Sequence, residues 1–172
     1  MKVYFSHGQE SGPWGSKIKR LAAIATEQGC EVASVDYTAT KDPDLRVEQL
    51  LEILKDESDS FILVGSSMGG YVSQVASERV NAKAVFLLAP ALYIPGYRHQ
   101  VFSSDQQYVE IVHGWSDDVI PPENSIKFAQ DVDCTLHLIS GDHRLNGSIE
   151  AVENLFRWFL QTVLAEGSLG SE

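Results

Sequence analysis

The sequence predicts a three-layer α/β/α fold on a mainly parallel, six-stranded sheet, and three features carry that prediction. Short apolar runs alternate with longer helical patterns along the chain, which implies right-handed crossovers between parallel strands. Two of the runs, FILV at 61–64 and VFLLA at 85–89, are uninterrupted, as strands buried on both faces require. The length of 172 residues, 44% of them apolar, suits one domain with a proper core.

The first strand is predicted at 2–7, where an apolar run leads into His7-Gly8-Gln9. A helix over 14–28 follows, with Pro13 near its start and Gly29 just past its end, where a missing N–H and a left-handed backbone are tolerated. Then come a strand at 32–37, with Asp36 as a loop or capping group at its end, and a helix at 44–57. The strand at 60–66 passes into a helix at 68–80, and the strand at 83–89 into a connection from Pro90 to Gln107. A strand at 108–113, a helix at 122–131 opened by Pro122 and a strand at 135–140 complete the sheet. In the last helix, 148–164, Ile149, Val152, Phe156, Phe159 and Val163 recur at three- and four-residue spacings and form one apolar face. Residues 1–164 thus read as a single domain without repeats, and 165–172 as a tail with little to bury, expected to fray.

A formal charge of −11 argues against nucleic acid as a partner, and it disfavours polyanionic substrates. Lys17, Lys19 and Arg20 form a small basic cluster, which reads as a solvated helix face before it reads as a phosphate site. Cys30 and Cys134 have no metal-ligand spacing and are expected to be buried thiols. No His/Cys/Asp cluster suggests zinc, and no cofactor or metal is expected. The chain begins directly in a strand and carries no apolar run long enough to span a membrane, so a cytoplasmic location is expected.

Residues 61–71, FILVGSSMGGY, hold the most informative motif. It is G-x-S-x-G between a buried strand and a helix, with Ser67 flanked by Gly65 and Gly69. A tight, strained turn would project the Ser67 hydroxyl from the sheet edge, and glycines are needed where strand and helix approach closely. The Met68 N–H then lies at a helix N-terminus, where an oxyanion would form. The alternative is a Gly/Ser-rich turn that binds a phosphate at a helix N-terminus.

Two later stretches favour the nucleophile. YVEIVHGWSDDVIPP, 108–122, is a strand followed by a carboxylate pair, and CTLHLISGDHR, 134–144, is a strand followed by a Gly-Asp-His turn. Ser67, Asp117 or Asp118, and His143 each follow a strand, so in a parallel sheet all would emerge at the same carboxyl edge. A serine needs a base to accept its proton, which His143 supplies, and the imidazole needs an aspartate to hold one tautomer. Asp142, adjacent to His143, is poorly placed to orient it. His7 and His113 read as scaffolding, whereas His99 and His137 have no evident partner.

These motifs together resemble the α/β-hydrolase superfamily, and most closely its small, single-domain, lidless serine esterases. The resemblance rests on the strand leading into His7-Gly8-Gln9-Glu10-Ser11-Gly12-Pro13, the G-x-S-x-G around Ser67, HG-x-x-D-x-x-[IV]-P at 113–121 and the late Gly-Asp-His turn, and it extends to about Leu164. It implies a minimal fold with strand order 2-1-3-4-5-6. It also implies Ser67 as nucleophile, His143 as general base and acid, and the Gln9 and Met68 amides as an oxyanion hole. The aspartate three residues after the glycine is Asp117, which the resemblance selects over Asp118.

The connection after the fourth strand is too short for a lid domain, so an open, shallow apolar cleft is expected, suited to small substrates. Its candidate walls are Trp14, Leu92, Tyr93 and Trp115, with Ile94 and Phe102 beside them. The expected activity is hydrolysis of a small carboxylic ester or thioester through an acyl-enzyme. The competing readings are a catalytically weak binding or scaffold protein, and an amidase, peptidase or acyltransferase using the same constellation.

Overall fold

A computed structural model describes residues 1–103 and 108–168. The six strands are β1 (Lys2–Ser6), β2 (Glu31–Val35), β3 (Phe61–Ser66), β4 (Ala84–Leu88), β5 (Tyr108–Gly114) and β6 (Thr135–Ile139). Every neighbouring pair is parallel and the order is β2-β1-β3-β4-β5-β6, as the resemblance implied. The helices are α1 (Ser16–Glu27), α2 (Pro43–Leu54), α3 (Met68–Ser77), α4 (Pro122–Val132) and α5 (Ile149–Ser168).

The alternation of side chains across the central strands feeds two separate cores. Tyr4, Leu63, Val85 and Ile111 join α2, α3 and α4 through Leu50, Tyr71, Val75 and Phe128. Val3, Phe5, Ile62, Phe86 and Val112 join α1 and α5 through Leu21, Phe156 and Phe159. Four of the five residues expected on the apolar face of the last helix (Val152, Phe156, Phe159 and Val163) are fully buried; Ile149 is partly so. All five residues of β4 are buried, as its unbroken apolar run requires.

Local chemistry sets the element ends. Asp42 caps α2 by accepting from the Asp44 and Leu45 N–H groups, and Pro43 occupies the first turn. The same helix stops at Leu54, three residues before its expected end at 57, and Glu57 beyond it meets the Tyr4 hydroxyl and lies 3.7 Å from Lys2 Nζ. At the other extreme α5 runs to Ser168, four residues past its expected end at 164; Leu164, Ala165 and Glu166 are strong helix formers. The final stretch of the expected tail, 169–172, lies outside the described residues. Among the described residues no helix is long and apolar enough to cross a membrane.

Candidate active site

The turn between β3 and α3 holds Ser67 in a conformation few side chains adopt, φ 55° and ψ −121°. The turn is pinned on several sides. The Ser67 N–H donates to the Leu88 carbonyl at 2.9 Å, and the Ser67 carbonyl accepts from Ala91 and Gly70, each at 2.9 Å. The flanking glycines are there for space. A Cβ on Gly65 would sit 2.1 Å from the Gly69 carbonyl oxygen, and one on Gly69 would sit 2.0 Å from the Ser6 carbonyl oxygen. The strain at position 67 is thus held by packing that tolerates no side chain beside it.

Ser67, Asp117 and His143 follow β3, β5 and β6 and converge at the carboxyl edge of the sheet. His143 Nε2 lies 3.0 Å from Ser67 Oγ, and His143 Nδ1 lies 2.7 Å from Asp117 Oδ2. Asp118 is exposed and does not reach the imidazole. Asp142 accepts instead from the Arg144 and Leu145 N–H groups, each at 3.0 Å, and so shapes the turn that presents His143. At Gly114 a Cβ would fall 2.3 Å from the Gly141 carbonyl oxygen, so glycine is what lets the two loops meet.

The Asp117 side chain is fully buried and accepts four donors. The Val119 and Ile120 amides reach Oδ1 at 2.9 and 2.8 Å, while Oδ2 receives His143 Nδ1 and, at 2.9 Å, His113 Nε2. The His113 tautomer follows from its surroundings. Its Nε2 also lies 3.0 Å from the Ile120 carbonyl, which can only accept, so Nε2 carries the proton and Nδ1 accepts from Ser125 Oγ at 2.7 Å. Burial lowers the His113 pKa and keeps that ring neutral. The scaffolding role read for His113 from sequence therefore has a definite form: it holds Asp117 without sharing its charge.

Burial alone would raise the Asp117 pKa, but the hydrogen bonds from His143, Ile120 and Val119 outweigh it and hold the carboxyl below the ordinary range. The sign for stability follows. The depressed folded pKa stabilises the folded chain above the ordinary aspartate value of about 3.9 and the benefit is lost as pH falls through the folded value. Asp117→Asn is expected to flatten the acid side of a melting-temperature profile below about pH 5 relative to wild type. An unchanged acid slope in thermal melts would contradict this.

The other candidates divide. The Gln9 and Met68 amides, after β1 and at the first turn of α3, have no hydrogen-bond acceptor among the described residues. Gly8 abuts Ser67, since a Cβ there would lie 3.5 Å from Ser67 Cβ. Trp14 and Trp115 are exposed on the loops after β1 and β5, on the Ser67 edge of the sheet. Leu92, Tyr93 and Phe102, the other expected cleft walls, pack on the core shared with α2, α3 and α4. Leu92 and Phe102 are buried in the α2–α4 core, and Tyr93 turns its hydroxyl to Asp131 at 3.1 Å with Lys127 over its ring. Their apolar area is worth more against α4 than exposed to water. Ile94 packs on the same core. The connection carrying them has no helix between residues 89 and 103; Gln107, its expected end, lies outside the described residues.

Several surface readings are refined. Arg20 pairs with Glu153 at 2.6 Å and so ties α1 to α5, whereas Lys17 reaches the Arg144 carbonyl at 3.1 Å beside His143. Burial lowers the Lys17 pKa to about 8, against the opposing pull of Asp142 and Asp117. His137 pairs with Glu110 at 2.9 Å and His99 lies 3.4 Å from the Tyr71 hydroxyl, contacts that sequence spacing did not reveal. Cys30 and Cys134 are free thiols, Cys134 only half-buried. Among the described residues no group of three or more His, Cys, Asp or Glu could hold a metal. An open pocket of about 470 Å³ lies at the opposite edge of the sheet, lined by Leu51, Phe61 and Val80 together with Lys55, Asp59 and Arg79, and has no part in this site.

A parallel sheet in this order, with a strained serine after its third strand and a histidine after its last, defines an α/β-hydrolase fold. The chain belongs to the α/β-hydrolase superfamily and to the uncharacterised protein family UPF0227, whose model matches residues 1–110. That match includes Gln9, Ser67 and Met68 and stops before Asp117 and His143. A protein of Xanthomonas campestris pv. campestris, provisionally called a hydrolase of the alpha/beta superfamily, is 31% identical with a TM-score of 0.85, covering 94% of this chain and 98% of its own. Est1E from Butyrivibrio proteoclasticus shares the fold at 20% identity and a TM-score of 0.80, over 95% of this chain and 88% of its own. A Xanthomonas campestris protein described as a serine hydrolase without a lid does so at 17% identity and a TM-score of 0.69, over 94% and 81%. Comparison with curated protein sequences gives no match.

Proposed function

We propose that the chain is a serine hydrolase that cleaves small carboxylic esters or thioesters through an acyl-enzyme on Ser67. The observation that carries the reading is the unbroken contact from Ser67 Oγ to His143 Nε2 and from His143 Nδ1 to Asp117 Oδ2. Asp117 can only accept when ionised, so the imidazole proton resides on Nδ1 and the Nε2 lone pair faces the serine hydroxyl.

In this mechanism Ser67 Oγ attacks the substrate carbonyl as its proton passes to His143 Nε2, and Asp117 stabilises the resulting imidazolium. The carbonyl oxygen becomes an oxyanion between the Gln9 and Met68 amides, the latter at a helix N-terminus. His143 then protonates the departing alcohol or thiol. A water enters, gives its proton to His143, and releases the acid while Ser67 regains its hydrogen. The short β4–β5 connection, fastened to α4, favours small acyl groups.

A chain-length series of nitrophenyl esters and the matching acyl thioesters tests this. Turnover should be highest for short acyl chains, and Ser67→Ala should lower it by about 10⁴-fold or more. Full turnover by Ser67→Ala rejects the reading, and hydrolysis of anilides but not esters would point to an amidase instead.

A further inference from the structure

We infer that Arg46 is a positioning residue that aims the Gln9 N–H into the oxyanion hole by gripping the other side of the same peptide unit. The inference rests on the ester-hydrolase reading and adds the group that sets one of its two donors. In a trans peptide the carbonyl and the following N–H point in opposite directions within one plane. Whatever fixes the Gly8 carbonyl therefore fixes the direction of the Gln9 amide.

Three donors reach that carbonyl oxygen: His7 Nδ1 at 2.8 Å and Arg46 Nη1 at 3.2 Å hold it most closely, and Ser11 Oγ lies farther off at 3.5 Å. The His7 tautomer is determined, because its Nε2 accepts the Tyr37 backbone N–H at 3.0 Å and the ring proton must then sit on Nδ1. The guanidinium extends the grip. Its Nε donates to the Thr40 carbonyl at 2.8 Å, and its Nη1 and Nη2 lie 3.4 and 3.5 Å from the His7 and Gln9 carbonyls. Three successive carbonyls, of residues 7, 8 and 9, thus turn toward one cation, and the Gly8–Gln9 N–H is directed away from it, on the loop that abuts Ser67.

Stability alone gives a poor account of this arginine. It is 1% exposed, and its contacts are backbone carbonyls and the Tyr37 ring, with no ion pair to a carboxylate among the described residues. Burying a cation with no carboxylate in contact, Glu10 acting on it only from a distance, is costly, and an apolar side chain of similar volume would pack in α2 more cheaply. A rigid fork of five donors is what can hold a run of carbonyls in fixed planes. The charge also polarises the Gly8–Gln9 peptide from its oxygen end, which strengthens the N–H as a donor.

The test compares Arg46→Met and Arg46→Lys with wild type, using nitrophenyl acetate as substrate and trifluoroacetophenone as the oxyanion mimic. Removing an oxyanion donor outright costs about 10²–10³ in kcat, so losing its alignment should cost Arg46→Met about ten- to hundredfold, with KM nearly unchanged. Affinity for the ketone should fall by the same factor as kcat/KM, and Arg46→Lys should recover part of both. If Arg46→Met does not fold, Arg46→Lys and His7→Asn, which keeps a donor for Gly8, carry the comparison. Wild-type kcat and ketone affinity in a folded variant overturn the inference, as does a loss confined to KM or to melting temperature. A wild-type protein that neither hydrolyses the ester nor binds the ketone instead rejects the hydrolase reading itself, and the inference falls with it.

Discussion

His143→Ala is expected to lower kcat on a short-chain nitrophenyl ester by about 10⁴- to 10⁶-fold while leaving the protein folded. Without the imidazole, Ser67 has no group within reach to take its proton, and a neutral hydroxyl is a poor nucleophile. Residual activity should come from substrate binding and from the Gln9 and Met68 amides alone. Stability should survive for a reason peculiar to this site. The histidine side chain is 18% exposed, and removing it takes only one donor from Asp117. The buried carboxylate keeps the Val119 and Ile120 amides and the neutral His113 ring. His113 thus separates the fold from the chemistry. Thermal melts beside the kinetics check both halves; activity within tenfold of wild type would remove His143 from the mechanism.

Gly69→Ala should have the largest effect on folding. Its Cβ would meet the Ser6 carbonyl oxygen at 2.0 Å, the Ser6 carbonyl carbon at 2.4 Å and the His7 carbonyl oxygen at 2.7 Å. All three are backbone atoms, so no side chain can rotate aside. β1 lies between β2 and β3 and cannot retreat without breaking both ladders. Moving α3 instead would withdraw Ser67 from His143 and Met68 from the Gln9 side of the proposed oxyanion hole. An expected cost of roughly 3 kcal/mol or more corresponds to a fall in Tm of about 6–12 °C for a chain of this size. Gly12→Ala, where no atom lies within 4 Å of the added carbon, is the matched control. Its melting temperature should stay close to wild type, and equal behaviour of the two variants would contradict the packing account.

What could be read in the sequence was whatever depends on local chemistry. Strand ends, the Gly-Ser-Gly turn and the late Gly-Asp-His turn are contiguous in the chain, and a parallel sheet brings every strand end to one edge. The strand order needed the resemblance, because alternation alone does not say which strands are neighbours. The cleft walls were not legible, because an apolar residue on a connecting segment looks the same whether it faces a cleft or the core: Leu92 is buried in the core, and Asn124 fastens its carbonyl to α4 at 2.8 Å. Arg46 was invisible for the opposite reason. An arginine in a surface helix reads as solvated, and only the tertiary fold shows that its guanidinium lies under the loop after β1. The His113–Ser125 contact joins β5 to α4 and carries no spacing signature.

Fluorophosphonate labelling followed by peptide mapping addresses the central proposal most directly, because the reagent requires a hydroxyl activated by a neighbouring base beside an oxyanion hole. The expected result is a single adduct on Ser67 of the wild-type protein, absent from both Ser67→Ala and His143→Ala. An unlabelled folded protein, or an adduct on Ser66 or any other hydroxyl with Ser67 unmodified, would contradict it.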